Sequence, residues 1–323
     1  MTMADDTGTA APARAAQPAG RSCWTDLGGP VHYLDFGGPA DGPVLVCVHG
    51  LGGSAVNWIS VAPQLAGSCR VLAPDLAGHG LTQSAGRGSG VAANTELLHR
   101  FIGEVAGGPV ILAGNSMGGM ISLLEASAAA DAVSGLILLD PALPFVLAWP
   151  DPLVTRLFAA YLVPWLNKRL TDRQRLLSPA EVVAGVLELC CADPSRITQE
   201  VIARHVEVAS QRAAFPGIDR DFELAARSVV ATIGYPMRRA YQRQIRSVGC
   251  PVLLIHGTRD RLVPVAAARA AARTAARGGR PWTVREFPDV GHVPQLEAPQ
   301  ETVAAITEWL GSGGRAAAAA ASH

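Results

Sequence analysis

The sequence predicts an α/β fold: a mostly parallel central sheet flanked by helices, with an inserted all-helical segment. Three observations carry that expectation. Pro43–Val48, Pro109–Leu112, Gly135–Leu139 and Pro251–Ile255 are continuous apolar runs of strand length, as expected of strands buried on both faces. Helical patterns separate successive runs, the alternation of a parallel sheet with right-handed crossovers. Strand signals then stop at about Pro141 and return only at Pro251.

Residues 1–22 are expected to be a disordered tail. Met1 to Gly20 is rich in Ala, Pro and Thr and has neither the basic start nor the apolar middle of a secretory signal. Val31–Phe36 alternates and ends at Gly37-Gly38, which reads as an antiparallel-type edge strand. Asn57–Leu65 reads as a short helix, Cys69–Pro74 as a strand and Thr95–Val105 as an amphipathic helix. Beyond Pro141, Val154, Leu157, Phe158, Tyr161, Leu162 and Trp165 recur at helical spacing, with Pro164 as a kink. Ser178-Pro179-Ala180-Glu181 is a capping box with proline at its first helical position, opening a helix toward Leu189. Ile202–Val208 and Phe222–Ile233 also read as helical. After the Pro251 strand, Ala266–Ala276 is a helix, Trp282–Phe287 the last strand and Pro299–Leu310 the last helix. The core is therefore expected at 23–142 and 241–311, and the helical insertion at 143–240. A second tail, rich in Gly, Ser and Ala, is expected at 312–323.

The chemistry gathers at Gly114-Asn115-Ser116-Met117-Gly118. A serine between a buried strand and a helix, with a glycine two residues to either side, fits a nucleophile elbow. The turn is too tight for Cβ atoms at Gly114 and Gly118, and it holds the serine in a strained conformation with its hydroxyl above the sheet. The N-terminus of the following helix then faces whatever Ser116 attacks. Read alone, the pentapeptide also fits a glycine-rich turn with an incidental serine. His49-Gly50 and Asp75 likewise follow strands directly, where parallel sheets gather their chemistry.

Composition excludes several classes. With 27 basic and 27 acidic residues the formal charge is zero, so no basic field is available to hold nucleic acid. No apolar run is long and unbroken enough to span a bilayer. The nearest, Val133–Trp149, is broken by Asp140, Pro141 and Pro144. The six cysteines form no C-x-x-C pair and the eight histidines show no ligand spacing. Reduced cysteines, a cytoplasmic location and no metal are the expectation.

On these motifs the chain resembles the α/β-hydrolase superfamily, over roughly residues 30–142 and 245–311. The resemblance rests on His49-Gly50-Leu51-Gly52-Gly53-Ser54, Asp75-Leu76-Ala77-Gly78-His79-Gly80, Gly114–Gly119, and two later segments around Asp260 and His292, in the family's order. It implies a Ser, acid, His catalytic order, which Ser116, Asp260 and His292 satisfy on loops after three different strands. Ser116 is then the nucleophile, His292 the general base and then acid, and Asp260 the orienting carboxylate. Asp140, which also ends a strand, is the rival acid. Asp260 is preferred because it stands in Gly257-x-x-Asp260 with Val263-Pro264 following. His49 and His79 are expected to be structural or oxyanion-related, and Asp75 and Asp289 to be turn residues. The resemblance places the oxyanion-hole N–H donors at Leu51 and Met117. It also implies that the insertion is a cap over the active site, the alternative being a separate helical domain.

The implied activity is cofactor-independent hydrolysis of an ester or related carboxyl derivative of a small, mainly apolar molecule. A serine nucleophile argues against the family's aspartate-dependent branches, which displace at saturated carbon. The apolar preference rests on Phe145, Leu147, Trp149, Phe158, Tyr161 and Trp165, which could equally pack the insertion on the core. Two other readings stay open. The Gly114–Gly119 elbow looks like that of C–C bond hydrolases of the meta-cleavage type, and some relatives bind ligands as receptors. Trp165 with Lys168-Arg169 also permits a lipid-surface contact. Oligomeric state is not legible.

Overall fold

The computed structural model describes residues 19–144, 175–234 and 237–314, with 151–152, 154–156, 169 and 172–173. Eight strands among these residues form one sheet in the order β1-β2-β4-β3-β5-β6-β7-β8. They are β1 (Arg21–Asp26), β2 (Pro30–Gly37), β3 (Val44–Val48), β4 (Arg70–Pro74), β5 (Val110–Asn115), β6 (Val133–Leu139), β7 (Val252–Gly257) and β8 (Thr283–Phe287). β1, β2 and β4 pair antiparallel. From β4 onward every pairing is parallel.

Among the described residues, the helices of ten residues or more are α1 (Val91–Phe101), α2 (Met117–Ala128), α3 (Pro179–Cys190), α4 (Gln199–Arg212), α5 (Ile218–Ile233), α6 (Arg238–Ser247), α7 (Val265–Arg277) and α8 (Pro299–Trp309). The two faces of the central strands feed two cores. Val46, Val48, Leu112, Leu138 and Leu254 pack with residues of α1, α2, α6 and α7. Leu45, Cys47, Ile111, Ile137 and Ile255 pack with Trp58, Ile306 and Trp309 on the other face. Alternate residues of one strand serve opposite cores, so no polar face exists to break these runs.

The structure departs from expectation in four places. β1 begins at Arg21, inside the stretch expected to be tail, and takes the edge position assigned to β2. Its residues are mostly exposed or half-buried, so no apolar alternation announces it. The β1–β2 turn is held by Asp26, whose Oδ1 accepts from Gly28 N–H (3.0 Å) and Gly29 N–H (2.8 Å), both glycines at positive φ. The helix expected over 57–65 is two short pieces, a 3₁₀ turn at Ala55–Trp58 and one α turn at Ala62–Leu65. The helix expected over 95–105 starts earlier, at Val91, and becomes a π turn at Ile102–Ala106. α6 straddles the expected boundary at 240/241. The Leu157–Trp165 helix, the Pro164 kink, Phe145, Leu147, Trp149, Lys168 and most of both tails lie outside the described residues. Among the described residues, no helix is long and apolar enough to cross a membrane.

Candidate active site

Ser116 sits between β5 and α2 with φ 55° and ψ −119°. Its backbone is fixed by three hydrogen bonds. Its N–H donates to Leu139 (3.1 Å), and its carbonyl accepts from Met120 (3.1 Å) and Ala142 (2.9 Å). A Cβ on Gly114 would lie 2.5 Å from the Gly118 carbonyl oxygen, and one on Gly118 2.3 Å from that of Val48. Both glycines are thus required by strand and helix backbones in close approach. A Cβ on Gly50 would lie 2.9 Å from Ser116 Cβ, so the loop after β3 runs against the serine. Leu51 follows in that loop, and Met117 is the first residue of α2.

His292 is buried, in the loop that follows β8. Its Nδ1–H donates to Asp260 Oδ2 at 2.7 Å, and its Nε2 has no partner among the described residues. Asp260 Oδ1 accepts from the N–H groups of Leu262 (2.8 Å) and Val263 (3.0 Å). A carboxylate so supplied with donors favours a ring with its proton on Nδ1 and a lone pair on Nε2. Burial opposes ionisation of Asp260, but the His292 ring and its hydrogen bond, with His256 and the Val263 N–H, together outweigh burial and hold the carboxyl below its ordinary range.

Asp140, the rival acid, does not bond His292. Its Oδ1 accepts from Gly257 N–H at 2.9 Å and its Oδ2 is unpartnered. Burial first, then the neighbouring Asp260 charge, push its carboxyl well above the usual range. The two carboxyls are thus pushed in opposite directions, Asp140 toward its protonated form and Asp260 toward its charged one. His49 is also committed elsewhere: Nδ1–H donates to the Gly50 carbonyl (2.8 Å), and Nε2 accepts from Leu76 N–H (3.0 Å). Burial, and secondarily the His49 ring, lower His79 to about 3. Asp75 is a buried junction, accepting from Ala55 N–H (2.6 Å), Leu81 N–H (2.8 Å) and His32 Nδ1–H (2.7 Å). Asp289 occupies an exposed turn with φ 54°.

Two residues that the sequence reading missed hold this region together. The buried Asn115 amide donates to both Leu139 O (3.0 Å) and His292 O (2.9 Å), tying the Ser116 turn to the His292 loop. The buried Glu297 carboxylate accepts from Gly291 N–H (2.7 Å), Asp193 N–H (2.9 Å) and Ala192 N–H (3.2 Å). His292 N–H itself donates to the Cys190 carbonyl at 2.7 Å. In sequence, Glu297 is distinguished only as the one acidic residue within Val290–Pro299.

The segment between β6 and β7 reaches this region elsewhere too. Phe222 of α5 would lie 3.1 Å from a Cβ on Gly52. Arg212 of α4 donates to the carbonyls of Gly78 and Gly80.

Asp140, His256 and Asp260 bring potential metal-ligand atoms within 4.8 Å of one another. Asp260 is already occupied by three donors, and His256 Nε2 faces the Val263 carbonyl at 2.9 Å. Asp140 Oδ2 and His256 Nδ1 alone are left over, too few for an ordinary cation shell.

A family model described as "Alpha/beta hydrolase family" matches residues 45–306. The dihydrolipoyllysine-residue acetyltransferase component of the acetoin cleaving system of Pseudomonas putida is 27% identical over 273 residues. That match covers 84% of this chain and 64% of the relative, so the chain spans less than two thirds of that protein. Among solved structures, a thermophilic esterase from Thermogutta terrifontis is similar with a TM-score of 0.63 at 24% identity, covering 90% and 98% of the two chains. The meta-cleavage product hydrolase CumD from Pseudomonas fluorescens IP01 gives 0.66 at 19% identity, covering 92% and 99%.

Proposed function

The chain belongs to the alpha/beta hydrolase family, and on that premise we propose a serine hydrolase acting on an ester or related carboxyl derivative of a small, mainly apolar molecule. Ser116 Oγ attacks the acyl carbon while His292 Nε2 takes its proton. The N–H groups of Leu51 and Met117 receive the oxyanion. Collapse expels the alcohol, which takes the proton back from His292, and leaves an acyl-enzyme. Water, activated by the same nitrogen, then releases the acid and restores Ser116. Asp260 keeps the ring in the tautomer that can accept and stabilises the imidazolium. No cofactor enters these steps.

The observation that carries this reading is the 2.7 Å Asp260–His292 hydrogen bond with Nε2 left unpartnered, in a loop bonded to the turn that presents Ser116. The segment 143–240 serves as the cap. Its support is that Cys190, Arg212 and Phe222 all touch loops at the carboxyl ends of the strands.

The test is hydrolysis of p-nitrophenyl esters of increasing chain length by wild type and Ser116→Ala. Turnover is expected in wild type, with a loss of about 10⁴-fold or more in the variant. Equal turnover in both would remove Ser116 from the chemistry. The Gly114-Asn115-Ser116-Met117-Gly118-Gly119 elbow favours C–C bond hydrolysis as a second reading. Ser116-dependent bleaching of a vinylogous 1,5-diketone, without ester turnover, would replace the first reading by the second.

A further inference from the structure

We propose that the groove between α6 and α7 is a binding site for a phosphate-type polyanion, separate from the Ser116 region. A cavity of about 280 Å³ lies there, lined by Arg238, Gln242, Arg273, Thr274 and Arg277 among others. None of its three arginines has an acidic partner among the described residues. Other arginines of the chain are paired: Arg269 with Glu286 at 2.6 Å, Arg285 with Glu308 at 3.0 Å and Arg261 with Asp151 at 3.3 Å.

Sequence explains the imbalance. The chain is neutral as a whole, yet no Asp or Glu occurs between Glu223 and Asp260, or between Asp260 and Glu286. Of the arginines on the two helices bordering the cavity, Arg269 alone has an acidic partner among the described residues. α6 adds a second electrostatic cost. Arg238 and Arg239 occupy its first turn, which contains no acidic residue and has no side-chain cap. Cations there oppose the positive end of the helix dipole. An anion in the cavity offsets both costs at once.

The lining also sets the chemistry. Guanidinium forks match phosphate oxygens in paired hydrogen bonds, and three of them favour a group carrying more than one negative charge. The Gln242 amide adds a neutral donor. The volume lies just below the range of drug-sized sites, which favours a compact ligand. A pyrophosphate-like group of a soluble molecule and the phosphate of an anionic lipid share this chemistry.

Calorimetric titration of the full chain with inorganic pyrophosphate at low salt tests it. One saturable site is expected. Arg238→Gln and Arg273→Gln should each weaken binding about ten-fold or more. Arg243→Gln, on α6 but outside the cavity lining, should change it by less than about two-fold. Pyrophosphate should also raise the melting temperature of wild type and not of Arg273→Gln, which checks folding of the variant independently. No saturable binding, or equal weakening by Arg243→Gln, overturns the site in favour of diffuse attraction. Sedimentation with phosphatidic acid vesicles that is lost in Arg273→Gln identifies the phosphate as a lipid's. Retained pyrophosphate binding without sedimentation identifies it as a soluble ligand's.

Discussion

Two carboxylates stand close enough to compete for one role, and their hydrogen-bond partners separate them. Asp260 receives two backbone N–H groups and the His292 ring. Asp140 receives a single N–H, and burial with the neighbouring Asp260 charge pushes its carboxyl upward. Under the proposed mechanism, Asp260→Asn should lower kcat for a p-nitrophenyl ester by about 10⁴-fold, because an amide can hold the ring in the wrong tautomer. Asp140→Asn keeps an oxygen for Gly257 N–H and should stay within about ten-fold of wild type. Steady-state kinetics on both variants decides it, and the reverse ranking would make Asp140 the working acid. Locally, Gly257-x-x-Asp260 with Val263-Pro264 was enough to nominate Asp260. The upward push on the Asp140 carboxyl was not legible, because it depends on burial and on a residue 120 positions away.

At the scale of elements, the His292 loop has little regular structure of its own and is held from outside. Glu297 joins it to residues 192–193, just beyond α3, through three backbone donors. Glu297→Ala leaves those buried N–H groups unsatisfied and should cost about 3 kcal/mol or more in urea unfolding. It should also lower ester turnover, since His292 N–H depends on the same segment through Cys190. Unchanged stability would mean that the carboxylate holds nothing. The capping box at Ser178–Glu181 forms as its sequence pattern predicts, with Ser178 N–H donating to Glu181 at 2.7 Å. β1 escaped prediction because its pairing partner, and not its own hydrophobicity, makes it a strand.

For the whole molecule, two buried groups give opposite pH limbs. His79 falls from the ordinary 6.5 to about 3, through burial and then the His49 charge. The unfolded chain binds that proton first on acidification, so stability should fall as pH drops from 6.5 toward 3. Asp140 is raised instead, through burial and then Asp260. The folded chain keeps that proton longer, so stability should decline as pH rises above the unfolded carboxylate value of about 4. Urea midpoints across pH should show the acid limb flattened in His79→Asn and the upper limb flattened in Asp140→Asn. Unaltered limbs in both would place the titrating groups elsewhere.

The sequence by itself determined the α/β class, the family and the strand-end positions of Ser116, Asp260 and His292. Each of these is written in a run of a few residues, where hydrophobic period, glycine sterics and chain order act locally. Tertiary structure alone decided which carboxylate meets His292, that Asn115 and Glu297 hold its loop, and that three arginines share one cavity. Those facts join residues 177, 105 and 35 positions apart. Only the folded sheet, by closing those distances, sets the desolvation and hydrogen bonding that give such residues their roles.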